Sequence, residues 1–383
     1  MFAIWLAVAL LVVFHATMLI RYSVDFPFQD DFTQLLAVPG YFDRQSSVPA
    51  KIAYLFELSV EHRIATLRLV ALTQAKLLGG LQFQWMMAYG SVLCALAAAL
   101  VVFNANADQR PPLALFAALL LTSPAHFVSQ YWATGAVQHL GMTFYAFAAL
   151  YCATRAGLAW AIVGIVLAGA AACTAANGLL VFVVAAGVLA LAGRRDSALV
   201  WTVAAVALFS VYFLGYEPPP GKASPLESLR DPIRFLFGWA AALGSIAGAR
   251  TPAIVLGLAL MVAGALLAWR MRMRAIDPVW VAWMAFPIVS AAAIAAGRLP
   301  WGDGEMLNNR YRAYSALALI VATAAGAQAP NRRWCTFLHS ALLSVTVVWA
   351  VHNWRANILS VADMSARQRL DGTIRRPGTR SLR

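Results

Sequence analysis

The feature that most constrains this chain is a succession of apolar runs, each close to the length of a bilayer-crossing helix and bounded by Arg, Asp or Pro/Gly clusters. A stretch of about 20 apolar residues spans the hydrocarbon layer as a helix, and an open chain satisfies its backbone there only as a helix. A transmembrane barrel would show short alternating segments instead. The runs are Phe2 to Ile20, Phe83 to Phe103, Leu113 to Gln130, His139 to Thr154, Leu158 to Ala176, Leu179 to Ala192, Ala198 to Tyr216, Pro252 to Trp269, Val279 to Ala296, Tyr311 to Ala327 and Trp334 to Val351. They predict an all-α polytopic membrane protein with about 11 transmembrane helices, in a range of about 10 to 12. Composition leads the same way: 62% hydrophobic and 12% charged residues with a mean hydropathy of +0.71 leave no room for a soluble domain of ordinary size.

The formal charge of +13 does not point to nucleic acid, because no basic run is concentrated in a soluble domain and no binding motif presents one. Cys94, Cys152, Cys173 and Cys335 all lie in apolar runs without metal-ligand spacing, which makes them small core residues. The first run has no basic leader and no convincing cleavage site, so it is expected to be a retained span. The segment 21–82 is then a long first loop with amphipathic surface helices. Residues 1–352 form the membrane domain, and 353–383 form a short Arg-rich tail.

Phe235 to Ala249 is apolar but short, flanked by Arg230, Arg234 and Arg250, and fits either a span or an interfacial helix. Placing it at the interface puts the connections with Arg110, Arg155, Arg194, Arg195, Arg270, Arg272, Arg274, Arg332 and Arg333 on one side, which the positive-inside rule makes cytoplasmic. All but Asp108, Asp196 and Asp277 of the sixteen acidic residues then face outward. Acid chemistry is expected on that outer face.

Several polar clusters collect there. Asp30 and Asp31, in Phe28-Gln29-Asp30-Asp31-Phe32, fit either a turn or helix cap, or a general base whose pKa is raised by desolvation and a like charge. Glu61-His62-Arg63 begins an amphipathic helix from His62 to Leu78, in which Glu61 and Arg68 share a face. Gln130-Tyr131-Trp132 and Gln138-His139 bracket one outer turn, and Asn177-Gly178 occupies the next. Aromatic belts and helical-hairpin turns account for such residues equally well. Arg298, Arg310 and Arg312 converge on the late loop that runs from Gly297 to Tyr311. Arginines at a boundary can snorkel to headgroups, but guanidinium is also the preferred grip for phosphate. No Gly-rich nucleotide loop precedes a helix, which argues against a soluble nucleotide donor.

In order and topology, the first span, Asp30-Asp31, Glu61-His62-Arg63, Asn177-Gly178 and Asn309-Arg310-Tyr311 together resemble the GT-C superfamily of polytopic glycosyltransferases. The resemblance runs from Met1 to about Val351. It implies a bacterial inner-membrane enzyme that transfers a sugar from a polyprenyl-phosphate donor, with inversion, on the extracytoplasmic side. The acceptor would be an envelope glycan, glycolipid or protein. It further implies that a first-loop Asp is the base, with Asp31 preferred over Asp30, and that Arg298, Arg310 and Arg63 bind the donor phosphate. Glu61, His62, Gln138, His139, Asn177 and Tyr311 would hold the acceptor or orient the base. A divalent cation, Mg or Mn, on Asp30 and Asp31 stays open. Two alternatives also stay open: a lipid-linked oligosaccharide ligase or polymerase, and a transporter or flippase, which would show repeats and charges near the bilayer centre.

Overall fold

The computed structural model describes residues 1–59, 61–217, 224–328 and 332–374, with the side chains of 332–340 and 371–374 left out of the description. The described residues are almost all helical, and the one sheet among them is a two-stranded antiparallel pairing of Leu58–Ser59 with His62–Arg63. Among the described residues, five helices are long and apolar enough to cross a membrane: Phe2–Tyr22, Phe83–Asn104, Arg195–Tyr212, Arg250–Arg272 and the one that begins at Pro278. Arg110–Leu121 and Pro124–Gln130 make a sixth if the bent pair is one span; Ser123, extended ahead of Pro124, breaks the pair at 43°.

The last of the other expected runs lies within a longer final helix, and four are present as apolar helices too short to cross alone, Met142–Thr154, Leu158–Ala172, Leu180–Leu191 and Arg312–Gly326. Their missing turns have a common location. The chain leaves α-helical geometry at 136–141, 173–179 and 299–311, and each of these stretches contributes wall to a single cavity. A recess cut into the bundle therefore shortens the helices around it.

Close approaches of small residues tie the bundle together. Pro232–Leu243 crosses Arg250–Arg272 so tightly that a Cβ on Gly244 would lie 2.0 Å from the Ala253 carbonyl oxygen, and one on Gly257 would lie 1.8 Å from that of Ala240. Ala240-xxx-Gly244 and Ala253-xxx-Gly257 thus form a small-xxx-small contact on both partners. The Pro232–Leu243 helix has 12 residues and is about 18 Å long, well under the hydrocarbon thickness. Main-core side chains such as Trp283, Phe147 and Phe286 stack between the helices.

The first loop carries its own apolar cluster of Leu35, Val38, Ile64, Leu67 and Leu72, packed onto Phe83, Met86 and Val137 of the bundle. Its surface helices are Val38–Asp43, Val48–Phe56 and Ala65–Leu78. The last begins later than expected: His62 and Arg63 belong to the strand pair, and Arg68 does not face Glu61. The Arg68 guanidinium instead donates to the carbonyls of Leu55 and Glu57 at 3.1 and 2.8 Å.

The largest departure concerns the expected tail. The final helix does not stop near Val351 but continues as Arg332–Ile374, 43 residues and about 65 Å in length. Residues 375–383 lie outside the described residues. Cys94, Cys152 and Cys173 are free thiols at least partly buried, as the sequence suggests, while the Cys335 side chain lies outside the description.

Candidate functional site

Between the first loop and the helix ends beneath it lies a cavity of about 750 Å³. Asp30, Gln34, Glu61 and His62 line it from the loop; Trp132, Gln138, His139 and Asn177 from the shortened helices; Arg298, Arg310, Tyr311 and Tyr314 from the late loop and the helix that follows. An apolar flank is built from Leu179, Leu180, Phe209, Tyr212, Phe213 and Ile294. Nine of the expected site residues, Trp132 aside, thus line one cavity although the chain scatters them from position 30 to 311.

Asp31 and Asp30 occupy opposite environments. Asp31 is wholly buried and does not line the cavity. Its Oδ1 accepts the Thr134 N–H at 2.8 Å and its Oδ2 accepts the Phe28 N–H at 3.0 Å. It therefore closes its own loop and satisfies an early donor of the Ala133–Gly135 helix, as a cap does. Burial pushes its carboxyl up to about 6, against the pull of those N–H groups, and the Asp30 charge adds to the rise. Asp30 is exposed on the cavity wall, and its backbone carbonyl accepts the Gln34 N–H as the π-helix Phe32–Leu36 begins. Asp31 is thus the structural member of the pair, and Asp30 is the member that is open to the cavity.

Arg63 is a second correction. Its Nε donates to the Tyr212 carbonyl at 2.6 Å, and its two terminal nitrogens donate to the carbonyls of Phe56 and Leu214. Its backbone N–H donates to the Tyr212 hydroxyl. Its Nε and one terminal nitrogen fasten the first loop to the end of Arg195–Tyr212, the other terminal nitrogen ties the loop to itself at Phe56, and Arg63 does not line the cavity.

Arg298 and Arg310 do line it. Arg298 donates to Glu61 at 2.8 Å and lies over the Trp301 ring, 4.5 Å from its centre. Glu61 also meets His62 Nε2 at 3.5 Å. Burial, with the Arg298 charge adding to it, pushes His62 down to about 4, so the ring is neutral at pH 7. Arg310 makes a longer contact to Glu305 at 3.5 Å, lies over the Tyr311 ring at 5.0 Å, and keeps a buried Nε with no hydrogen-bond partner among the described residues. Of the two cavity arginines, Arg310 is the less committed. His139 meets Tyr311 edge to face, Asn177 donates to the Tyr314 hydroxyl at 3.0 Å, and Gln138 donates to Gln34 at 3.2 Å. The late loop itself is anchored through Asp303, which pairs with Arg234 at 3.1 Å and Arg250 at 2.6 Å.

The acidic pair does not fit a protein-held divalent cation: Asp31 is turned to backbone donors, and among the described residues no three His, Cys, Asp or Glu side chains group as a metal site. Gln34 and Tyr314 are wall residues that the sequence analysis does not identify. Their signal was helical spacing, Gln34 four residues after Asp30 and Tyr314 three after Tyr311. Comparison of the chain with protein-family models, with curated proteins and with solved structures finds no match.

Proposed function

We propose that the chain is a multi-pass membrane glycosyltransferase of the GT-C kind, with about 11 crossings and its cavity on the outer face of a bacterial inner membrane. The donor is a polyprenyl-phosphate sugar and the acceptor an envelope glycan, glycolipid or protein. One observation carries the proposal: an exposed first-loop carboxylate, Asp30, and a weakly committed arginine, Arg310, line the same cavity among neutral hydrogen-bonding side chains.

In this mechanism Asp30 accepts the proton of the acceptor hydroxyl as its oxygen bonds to the anomeric carbon. The bond from that carbon to the phosphate oxygen breaks, and polyprenyl phosphate leaves with the electron pair. Arg310 offers fixed positive charge where the leaving phosphate gains negative charge. Arg298, already paired with Glu61, positions the wall and adds a weaker field. Gln138, Asn177 and Tyr314 supply the neutral donors and acceptors that sugar hydroxyls require.

Donor binding and turnover separate the two roles. Arg310→Ala is expected to weaken donor binding by about 10- to 100-fold, the size of a lost charge-assisted hydrogen bond. Arg310→Lys should recover only part, because the bidentate fork is gone. Unchanged donor affinity in Arg310→Ala, measured by titration of the purified protein, removes Arg310 from the phosphate site.

A further inference from the structure

The last part of the Arg332–Ile374 helix does not trail away from the body. Its inward-facing positions are Asn353, Val361, Met364, Ser365 and Gln368, spaced at three, four, seven and eight residues as on one helical face. Val361 and Met364 pack with Leu19, Tyr131 and Trp132. Gln368, completely buried, donates to the Tyr131 carbonyl at 2.9 Å. Arg369 adds a bond to the Arg21 carbonyl at 3.2 Å, at the end of the first span.

That corner supports the acidic loop. Trp132 Nε1 donates to the Phe28 carbonyl at 3.0 Å, the Phe28 N–H reaches Asp31 Oδ2, and the Thr134 N–H reaches Asp31 Oδ1. Asp30 immediately precedes Asp31 in the chain, so its place on the cavity wall follows from how these bonds fix residues 28–34. Gln29 takes a positive φ of 50° within the same turn, a conformation that a non-glycine residue keeps only where its surroundings impose it. Two hydrogen bonds, joined by the peptide link between Tyr131 and Trp132, thus connect Gln368 to the Asp30 loop.

We infer that residues 353–374 form a positioning element for the catalytic loop, with Gln368 as its key contact. The inference that this helix acts on catalysis rests on the transferase proposal; the inference that it holds residues 28–34 does not. Losing the Gln368 bond leaves Arg310 and the phosphate site in place, so turnover falls while donor affinity stays.

Amide hydrogen exchange tests this on the full-length protein in lipid nanodiscs, comparing wild type with Gln368→Leu and Gln368→Glu. Arg367→Ala, at an exposed position of the same helix, serves as a control. Exchange in 28–34 should quicken at least severalfold in both Gln368 variants, while Ala65–Leu78 and the control stay at the wild-type rate. Equal exchange in 28–34 in wild type and both variants overturns the inference. So does an equal rise across 28–34 and 65–78, which would mark general loosening rather than positioning. The kinetic arm reads separately: with 28–34 loosened, turnover about tenfold lower at unchanged donor affinity supports a catalytic consequence. If wild type transfers no sugar at all, the transferase proposal fails while the exchange result still decides the role of the helix.

Discussion

Asp30 and Asp31 are neighbours in sequence, yet one faces the cavity and the other holds two backbone N–H groups. Asp30→Asn should therefore reduce transfer by at least about 100-fold, the scale of a lost general base, with stability changed by no more than about 0.5 kcal/mol. Asp31→Asn should do the reverse first: its oxygen can accept one of the two backbone N–H groups but its NH2 faces the other as donor against donor, at a cost of about 1–3 kcal/mol. Thermal unfolding of the two variants separates them, and equal destabilisation would contradict the assignment. His62 provides a pH test. Its folded-state pKa of about 4 lies below the ordinary 6.5, so the unfolded chain takes up the proton first and the His62 contribution to stability is lost as pH falls from about 6.5 to 4. Asp31, raised to about 6, acts in the opposite sense over about 4 to 6. Comparing wild type with His62→Gln isolates the histidine: wild type should lose more thermal stability from pH 7 to 5, and equal losses would show that His62 ionises freely. The charged residue types of this site were legible in sequence, but their commitments were not. Arg63 looked as available as Arg310 until the Tyr212 and Leu214 carbonyls, about 150 residues away in the chain, took up its guanidinium.

The helices were legible where local pattern sets them and misjudged where tertiary packing does. Apolar length located the five helices long enough to cross a membrane among the described residues, but it also placed a boundary at Val351, because hydropathy falls there while the helical face Asn353, Val361, Met364 and Gln368 continues. A search for helical spacing rather than membrane-length apolarity would have extended the helix. The strand pair at Glu61 is the opposite case: helix propensity read through His62 and Arg63, whereas pairing with Leu58–Ser59 overrides it. Helix crossings add a test of their own. Ala at Gly257 would ordinarily favour a helix by about 1 kcal/mol, but here its Cβ would lie 1.8 Å from the Ala240 carbonyl oxygen. Gly257→Ala should thus destabilise the protein by about 1–3 kcal/mol, read as a lower unfolding midpoint in detergent. A midpoint at or above wild type would mean that the two helices do not cross there.

Across the whole molecule, the helical geometry breaks at 136–141, 173–179 and 299–311 where the chain borders the cavity, which sets polar side chains beside an apolar flank within the bundle. The membrane class was open to sequence because it depends on composition alone, while convergence of nine scattered residues on one cavity required the fold. In the proposed topology, Ser46 lies outside and Asp108 inside. An impermeant thiol reagent on intact cells should label Ser46→Cys, exposed in the first loop, and spare Asp108→Cys until the membrane is opened. The reverse pattern would invert the topology and place the cavity on the cytoplasmic face. The central claim, transfer from a lipid-phosphate sugar with Asp30 as base, is tested most directly by mass spectrometry of polyprenyl-phosphate sugars and envelope glycans. The cells compared lack the gene, or carry wild type or Asp30→Asn. The account predicts accumulated lipid-linked sugar and a missing glycan substituent, both corrected by wild type and not by Asp30→Asn. Unchanged donor pools and glycans in the deletion, under conditions where the protein is expressed, would contradict it.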